Sequence, residues 1–228
     1  MDGAIKVQPR RLVLASTSKY RQTLLERLGL AFETAAPRVD ERALHGEAPA
    51  DTALRLSALK AQAVDRLFPD ALIIGSDQVA AMGRERFGKP GDHATAVRQL
   101  RSLSGNAVDF HTAVTVLDAR ARKAESRVVP CRVVFRTLDE RRIEAYLRRE
   151  QPYDCAASAK AEGLGIALIE RIETGDPSSL IGLPLIALCE LLERAGMQVV
   201  CSSTRSRRRS AARPRRSCRP RSSLPFEL

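Results

Sequence analysis

The sequence predicts an α/β fold in which strands and helices are interleaved. Short apolar runs typical of buried strands alternate with longer segments whose apolar residues recur at helical spacing. Capping residues and glycines mark the ends of those longer segments. The chain has 228 residues, of which 44% are hydrophobic, and this is enough for a sizeable core. Because only 4% of the residues are aromatic and none is Trp, we expect a core of Leu, Ala, Val and Ile.

The first part of the chain contains three predicted strands and two predicted helices. Ser18 stands at the N-cap position of the first helix and Gly29 stops it. Pro69 ends the second helix, which Asp51 or Thr52 caps. The predicted elements are, in order, a strand at 11–15, a helix between Ser18 and Gly29, a strand at 31–36, a helix at 51–68 and a strand at 71–75.

The second part of the chain continues the alternation. Asp139 caps one helix, and Gly196 ends another that is apolar on most sides. The glycine-punctuated segment 162–168 is predicted to be a turn followed by a strand. The other predicted elements are a helix at 92–103, strands at 108–117 and 126–135, helices at 139–149 and 184–195, and a last strand at 197–201.

The net charge of +11 is concentrated at the C-terminus. Residues 202–228 contain nine Arg and one Glu, whereas residues 1–201 contain 29 basic and 26 acidic side chains, a net charge of only +3. Nucleic-acid binding by the body, residues 1–201, is therefore not indicated. The Arg- and Ser-rich tail, residues 202–228, has few apolar residues and is expected to be disordered. It is either an arm for nucleic acid or acidic surfaces, or an appended C-terminus without a role in the function of the body, and we favour the appended C-terminus.

Cysteine usage and hydropathy indicate the compartment. The five cysteines form no CxxC pair and have no His at ligand spacing, which favours reduced thiols over disulfides or a zinc site. The apolar run 12–15 is too short for a signal peptide, and the richest apolar stretch, 180–189, is about half a membrane span. We therefore expect a soluble cytoplasmic protein without a membrane partner.

The sequence matches two known phosphate-binding motifs only in part. Residues 83–90 match the GxxxxGK part of a P-loop, but Pro90 cannot offer the hydroxyl that Mg²⁺ requires. The GxGxxG pattern that begins at Gly163 lacks its third glycine. Lys89, between a glycine and a proline, remains a candidate cation in a rigid turn.

Other polar side chains suit phosphate chemistry better. Ser16, Ser18 and Arg21 lie at a strand-to-helix junction, where backbone N–H groups attract anions, although Ser18 is equally explained as an ordinary N-cap. Asp77 follows an apolar strand, a usual place for a catalytic carboxylate, and a turn former explains it equally well. Glu41 is either a metal ligand or part of a solvated loop.

Taken together, these residues belong to motifs that resemble those of the Maf family of nucleoside triphosphate pyrophosphatases. The resemblance covers residues 11–200 with the motifs in family order, and it excludes the tail. The matching motifs are LASTSKYR at 14–21, VDE at 39–41, Lys60, IIGSDQV at 73–79, GKP at 88–90, SGN and HT near Ser104 and His111, EGLGI from Glu162 and DPSSLIGLPL from Asp176.

The resemblance implies a mixed twisted sheet flanked by helices, with a central cleft, and hydrolysis between the α and β phosphates of a nucleotide. It implies Asp77 as general base, Asp77 and Glu41 as ligands of a divalent cation (Mg²⁺, Mn²⁺ or Co²⁺), and a homodimer as a further expectation. Without it, Lys60 would be read as a solvated helix charge. Phosphate-binding groups are expected at Ser16, Ser18, Arg21, Lys60 and Lys89.

Three positions bear on which base is recognised: Tyr20, Gln78 and Glu162. They resemble the branch that cleaves N7-methyl-GTP, whereas the branch preferring dTTP and UTP carries Arg, Thr and Gln there. A cationic N7-methylguanine would stack on the aromatic ring, and a carboxylate can accept both N1–H and the exocyclic amine.

Alternative interpretations stay open for these positions. Tyr20 shares a helix face with Leu24 and Leu28, as a core residue would, and Glu162 beside glycine could be an exposed loop acid. The alternative functions are a dTTP/UTP-type or other modified-nucleotide pyrophosphatase, and a non-catalytic nucleotide- or nucleic-acid-binding regulator of septum formation.

Overall fold

The computed structural model describes residues 10–200, which contain five α-helices and seven strands. The helices are α1 (Lys19–Glu26), α2 (Pro49–Gln62), α3 (His93–Leu103), α4 (Glu140–Glu150) and α5 (Leu185–Arg194). The strands are β1 (Leu12–Ala15), β2 (Glu33–Ala35), β3 (Leu72–Met82), β4 (Glu85–Arg86), β5 (Ala107–Asp118), β6 (Lys123–Phe135) and β7 (Ile169–Thr174). Short 3₁₀ helices lie at Asp65–Leu67, Ala156–Ser158, Leu164–Leu168 and Pro177–Ile181.

All seven strands form one mixed sheet in the order β2-β1-β3-β5-β6-β7, with β4 paired to the end of β3. The pairs β1–β2 and β1–β3 are parallel, and the others are antiparallel. The three long strands β3, β5 and β6 are antiparallel neighbours at the centre of the sheet; a short loop joins β5 to β6, whereas β4 and α3 lie between β3 and β5.

An open stretch of β3 shapes the site. On one side, β5 pairs with β3 from Leu72 to Ala81. On the other side, β1 reaches only as far as Ile74 and β4 begins to pair at Ala81. Residues 75–79 of β3 therefore border a gap in the sheet, because Ala80 already accepts a backbone hydrogen bond from Phe87, and the chain leaving β1 enters α1 beside that gap.

Helices cover both faces of the sheet. Successive strand residues point to opposite faces, so Leu14 and Val13 of β1 face different layers. Leu14 belongs to an apolar cluster with α1 and α5, whereas Val13 packs with Ala61 of α2. A third cluster joins α3 and α4 to the other ends of β5 and β6, where Phe110 and Phe135 add aromatic rings to a core expected to be aliphatic. The predicted α/β fold, a mixed sheet flanked by helices, is confirmed.

Several predicted boundaries are wrong for physical reasons. The helix predicted at 51–68 begins earlier, because Pro49 occupies its first turn, and it ends at Gln62. The strand predicted to end at Gly75 continues to Met82, since β5 supplies a partner along that length. Asp77 therefore lies within β3 and does not follow it.

The C-terminal part of the body also differs from the prediction. Residues 164–168 form a 3₁₀ helix, and the strand comes after them as β7. The last strand, predicted at 197–201, is wrong for residues 197–200, which form no strand. Cys201 and the tail lie outside the described residues, so the tail prediction concerns a part of the chain that the structure does not describe.

Two other sequence predictions concern cysteines and membranes. The three cysteines within residues 10–200, namely Cys131, Cys155 and Cys189, are free thiols. None of the helices in the described part of the chain combines the length and apolar character needed to cross a bilayer.

Candidate active site

A cleft of about 930 Å³ opens beside the gap in the sheet, and every residue predicted for the site lies on its wall. The structure thus brings together side chains that are up to 146 positions apart in the sequence, from Ser16 to Glu162. The ten predicted residues are Ser16, Ser18, Tyr20, Arg21, Glu41, Lys60, Asp77, Gln78, Lys89 and Glu162. Their individual roles stay predictions.

A buried ion pair between Lys60 and Asp77 occupies the floor of the cleft. The Lys60 ammonium lies 2.7 Å from Asp77 Oδ1 and 2.8 Å from Glu41 Oε1. Lys60 is only 5% exposed and Asp77 7%, whereas the Glu41 side chain is 59% exposed. The interpretation of Lys60 as a solvated helix charge is therefore wrong, and Glu41 joins the pair from the solvent side.

Close packing of α2 on β3 places this ion pair. A Cβ atom on Gly75 would lie 2.0 Å from the carbonyl oxygen of Ser57 and 2.8 Å from the nitrogen of Ala61. Only glycine allows this approach. Because Lys60 lies between those two helix residues and Asp77 lies two positions beyond Gly75 on β3, the contact brings the two charged groups together.

Burial shifts the pKa values of Asp77 and Arg21. Desolvation raises the pKa of the Asp77 carboxyl, an effect that the neighbouring Lys60 and Arg21 oppose. A carboxylate with a raised pKa is a better proton acceptor near neutral pH. Burial lowers the pKa of Arg21, opposed by Asp77 and Glu41, but a guanidinium stays protonated in proteins.

The start of α1 forms the next part of the wall. Ser18 caps the helix by accepting from the backbone N–H of Arg21, and its own N–H donates to Ser16 Oγ at 3.1 Å. Arg21 Nε donates to the carbonyl oxygen of Gly182 at 2.8 Å, which holds the guanidinium against another segment of the cleft wall. The first turn of α1, the hydroxyls of Ser16 and Ser18 and the guanidinium of Arg21 therefore lie on one part of the cleft wall, an arrangement suited to anion binding.

The segment 86–89 supplies further positive charge. Lys89 is exposed, and the carbonyl oxygen of the preceding Gly88 accepts from Gln99 Nε2 at 3.1 Å. Arg86, which the sequence analysis missed, also lines the cleft, with its guanidinium held by Thr52 Oγ1 at 3.1 Å and by the Glu47 carbonyl oxygen at 2.5 Å. Its only sequence signal was its place inside the rejected P-loop match.

The amide of Gln78 has a fixed orientation. Its Nε2 donates to Thr112 Oγ1 at 2.9 Å and to the carbonyl oxygens of Ser179 and Leu180 at 2.9 and 3.0 Å. The nitrogen is therefore committed to the protein. The amide oxygen of Gln78 is left as a hydrogen-bond acceptor for a ligand.

Tyr20 and Glu162 also line the cleft. Tyr20 is half-buried and its hydroxyl lies 3.3 Å from Asp154 Oδ1, so the interpretation of Tyr20 as a core residue is wrong. Glu162 is exposed in a turn closed by a hydrogen bond from the Gly163 N–H to the Lys160 carbonyl oxygen at 3.0 Å. The cleft wall thus carries an aromatic ring and several hydrogen-bond acceptors as well as the largely cationic phosphate-binding candidates.

Metal binding by protein groups alone is not supported. Within residues 10–200, no group of three or more His, Cys, Asp or Glu side chains could hold a metal ion. Asp77 and Glu41 supply two carboxylates, and Mg²⁺ commonly uses one or two carboxylates together with water and substrate phosphates. The donor set fits such a shared site.

Comparisons with known proteins show what the chain is similar to. A family model described as "Maf-like protein" matches residues 11–195. The 7-methyl-GTP pyrophosphatase of Thiobacillus denitrificans is 57% identical over 189 residues, covering 83% of this chain and 94% of that protein. The 7-methyl-GTP pyrophosphatase of Cupriavidus metallidurans is 52% identical, covering 81% and 93%. The structure of the Staphylococcus aureus Ham1 protein matches with a TM-score of 0.40 and 11% identity, over 55% of this chain and 72% of that one.

Proposed function

The chain belongs to the Maf-like protein family, and from this premise we propose that it hydrolyses 7-methyl-GTP to 7-methyl-GMP and pyrophosphate. The observation that carries the proposal is a single cleft lined by the buried Lys60–Asp77 pair, by phosphate-binding candidates and by an aromatic ring beside acceptor groups. The activity is that of a hydrolase acting on a phosphorus-containing anhydride, in keeping with the names of the relatives.

Asp77 is the proposed general base. Its carboxylate accepts a proton from a water molecule, and the water oxygen attacks the α phosphorus. The bond from that phosphorus to the bridging oxygen breaks, and pyrophosphate leaves with the electron pair. The hydrogen bond from Lys60 Nζ to Asp77 Oδ1 at 2.7 Å orients the carboxylate and leaves Oδ2 as the proton acceptor.

The charge balance of the cleft supports a divalent cation as cofactor. Lys60 and Arg21 carry two positive charges, which Asp77 and Glu41 already balance. A triphosphate brings about four negative charges, beyond what Lys89 and Arg86 neutralise. When bound, a divalent cation such as Mg²⁺ supplies Lewis-acid stabilisation of the phosphates, and Asp77 and Glu41 are the residues that would hold it.

The side chains of Tyr20, Gln78 and Glu162 on the cleft wall suit N7-methylguanine. The cationic ring gains about 0.5–2 kcal/mol from stacking on an aromatic face such as that of Tyr20. Glu162 accepts from the N1–H and the exocyclic amine, and the free oxygen of Gln78 adds a third acceptor. Thymine and uracil present a carbonyl at the corresponding edge, which a carboxylate repels.

A substrate panel tests this proposal. Purified protein with Mg²⁺ should release pyrophosphate from m⁷GTP faster than from GTP, UTP, dTTP or CTP. Glu162→Gln should lose m⁷GTP turnover far more than UTP turnover, whereas Glu170→Gln, an exposed glutamate of β7, should change neither. Preferred cleavage of UTP or dTTP would replace the proposed substrate by that of the other branch, and equal losses in Glu162→Gln would contradict the recognition argument.

A further inference from the structure

The turn that carries Glu162 is held in place by a second glutamate, which does not line the cleft. Glu150, the last residue of α4, has a side chain only 15% exposed. Its Oε1 lies 2.8 Å from the Lys160 ammonium, and its Oε2 accepts from the backbone N–H of Leu164 at 2.7 Å. One carboxylate therefore holds the chain two positions before and two positions after Glu162.

The surrounding contacts show that this geometry is built around the Glu150 carboxylate. A Cβ atom on Gly163 would lie 2.9 Å from both carboxylate oxygens, so the turn passes directly over them. The buried Tyr146, one helical turn earlier on α4, accepts from the backbone N–H of Lys160 at 3.0 Å and donates to the carbonyl oxygen of Ser158 at 3.1 Å. Helix α4 thus holds the segment that leads into the turn, from Ser158 to Lys160.

Charge adds a reason for a carboxylate at this position. The Lys160 ammonium and the Leu164 amide lower the pKa of Glu150, so the group is ionised at neutral pH. The ion pair neutralises Lys160, which would otherwise be a free cation two residues from Glu162. A free ammonium there would attract the Glu162 carboxylate away from the base and would repel a cationic ring.

We propose that Glu150 is a positioning residue for base selection: it orients Glu162 and keeps Lys160 from competing with a cationic base. This inference deepens the proposed function and rests on Glu162 contacting the base. It predicts that substitution of Glu150 alters selectivity between nucleotides, not turnover in general.

The test is a double-mutant cycle between positions 150 and 162. Glu150→Gln should lower the ratio of kcat/KM for m⁷GTP to that for UTP by about 10- to 100-fold, mainly through KM for m⁷GTP. In a Glu162→Gln background, the same substitution should change the ratio much less, because only the repulsion between a freed Lys160 and the cationic ring remains. Glu140→Gln, which removes an exposed ion pair with Arg101 at the other end of α4, is the matched control and should leave the ratio unchanged.

A second variant and a structural readout keep the proposal falsifiable. Gly163→Ala leaves every charge in place but displaces the Glu150 carboxylate, and it should lower the same ratio. Hydrogen–deuterium exchange of residues 160–165 should be faster in Glu150→Gln and not in Glu140→Gln. Equal losses on both nucleotides, or effects of the Glu150 and Glu162 substitutions that simply add, would overturn the proposal.

Failure of the proposed function gives a different result. A protein that prefers another nucleotide refutes 7-methyl-GTP as the substrate, and the cycle is then read on the nucleotide that it cleaves best. A protein that cleaves none refutes the pyrophosphatase, and the exchange experiment then decides whether Glu150 holds the turn.

Discussion

Asp77→Asn should separate catalysis from folding. Asparagine has nearly the same shape, and its Oδ1 can still accept from Lys60 at the 2.7 Å position. Lys60 also keeps Glu41 at 2.8 Å, so the ammonium is not left unpaired. The free energy of unfolding should therefore fall by only about 1–2 kcal/mol, less than the ~3–5 kcal/mol expected when a buried ion pair loses one partner.

Catalysis should respond much more strongly, because an amide cannot take the proton from water. Loss of a general base lowers kcat by about 10²–10⁴-fold. The assay is pyrophosphate release at saturating m⁷GTP and Mg²⁺, combined with urea unfolding of the same samples. Asp109→Asn, which removes an exposed carboxylate paired with Arg132, is the control and should retain full turnover. A folded Asp77→Asn protein with unchanged kcat would refute the assignment of the base.

The pH profile gives an independent check of the same assignment. Asp77 must be ionised to act, so activity is lost as the pH falls through its pKa. Because burial raises that pKa, the acid limb of kcat/KM should lie above the ordinary aspartate value of about 3.9. A limb at or below that value would mean that a different group controls the acid side.

Three further predictions concern packing, the cofactor and the tail. Gly75→Ala would place a Cβ atom 2.0 Å from the Ser57 carbonyl oxygen, so it should displace α2, lower the free energy of unfolding by about 1–3 kcal/mol and reduce kcat. Gly175→Ala, which has open space around its Cβ, is the control and should be within about 0.5 kcal/mol of wild type in urea unfolding. Chelation with EDTA should abolish pyrophosphate release and added Mg²⁺ should restore it; full activity in the chelator would contradict the proposed cofactor. Deletion of residues 202–228 should leave kcat unchanged; if the protein is instead a nucleic-acid-binding regulator, the deletion will remove a salt-sensitive affinity measurable by titration at several salt concentrations.

Local signals in the sequence predicted the order and type of most elements. Ser18, Asp92 and Asp139 stand at the predicted starts of α1, α3 and α4, and each accepts a hydrogen bond from a backbone N–H in the first turn. Such caps depend on residues within three positions, so the sequence suffices to place them. The motifs likewise identified ten residues that share one cleft.

The sequence by itself determined which side chains are available and where most helices begin. The tertiary structure alone decided that β1 stops short and opens a gap along β3, that α2 lies against Gly75 and buries Lys60, and that the carbonyl oxygens of residues 179 and 180 fix the amide of Gln78. The physical reason is distance along the chain. Each of these features depends on contacts between segments far apart in the sequence, whereas caps and periodicity act within a few residues.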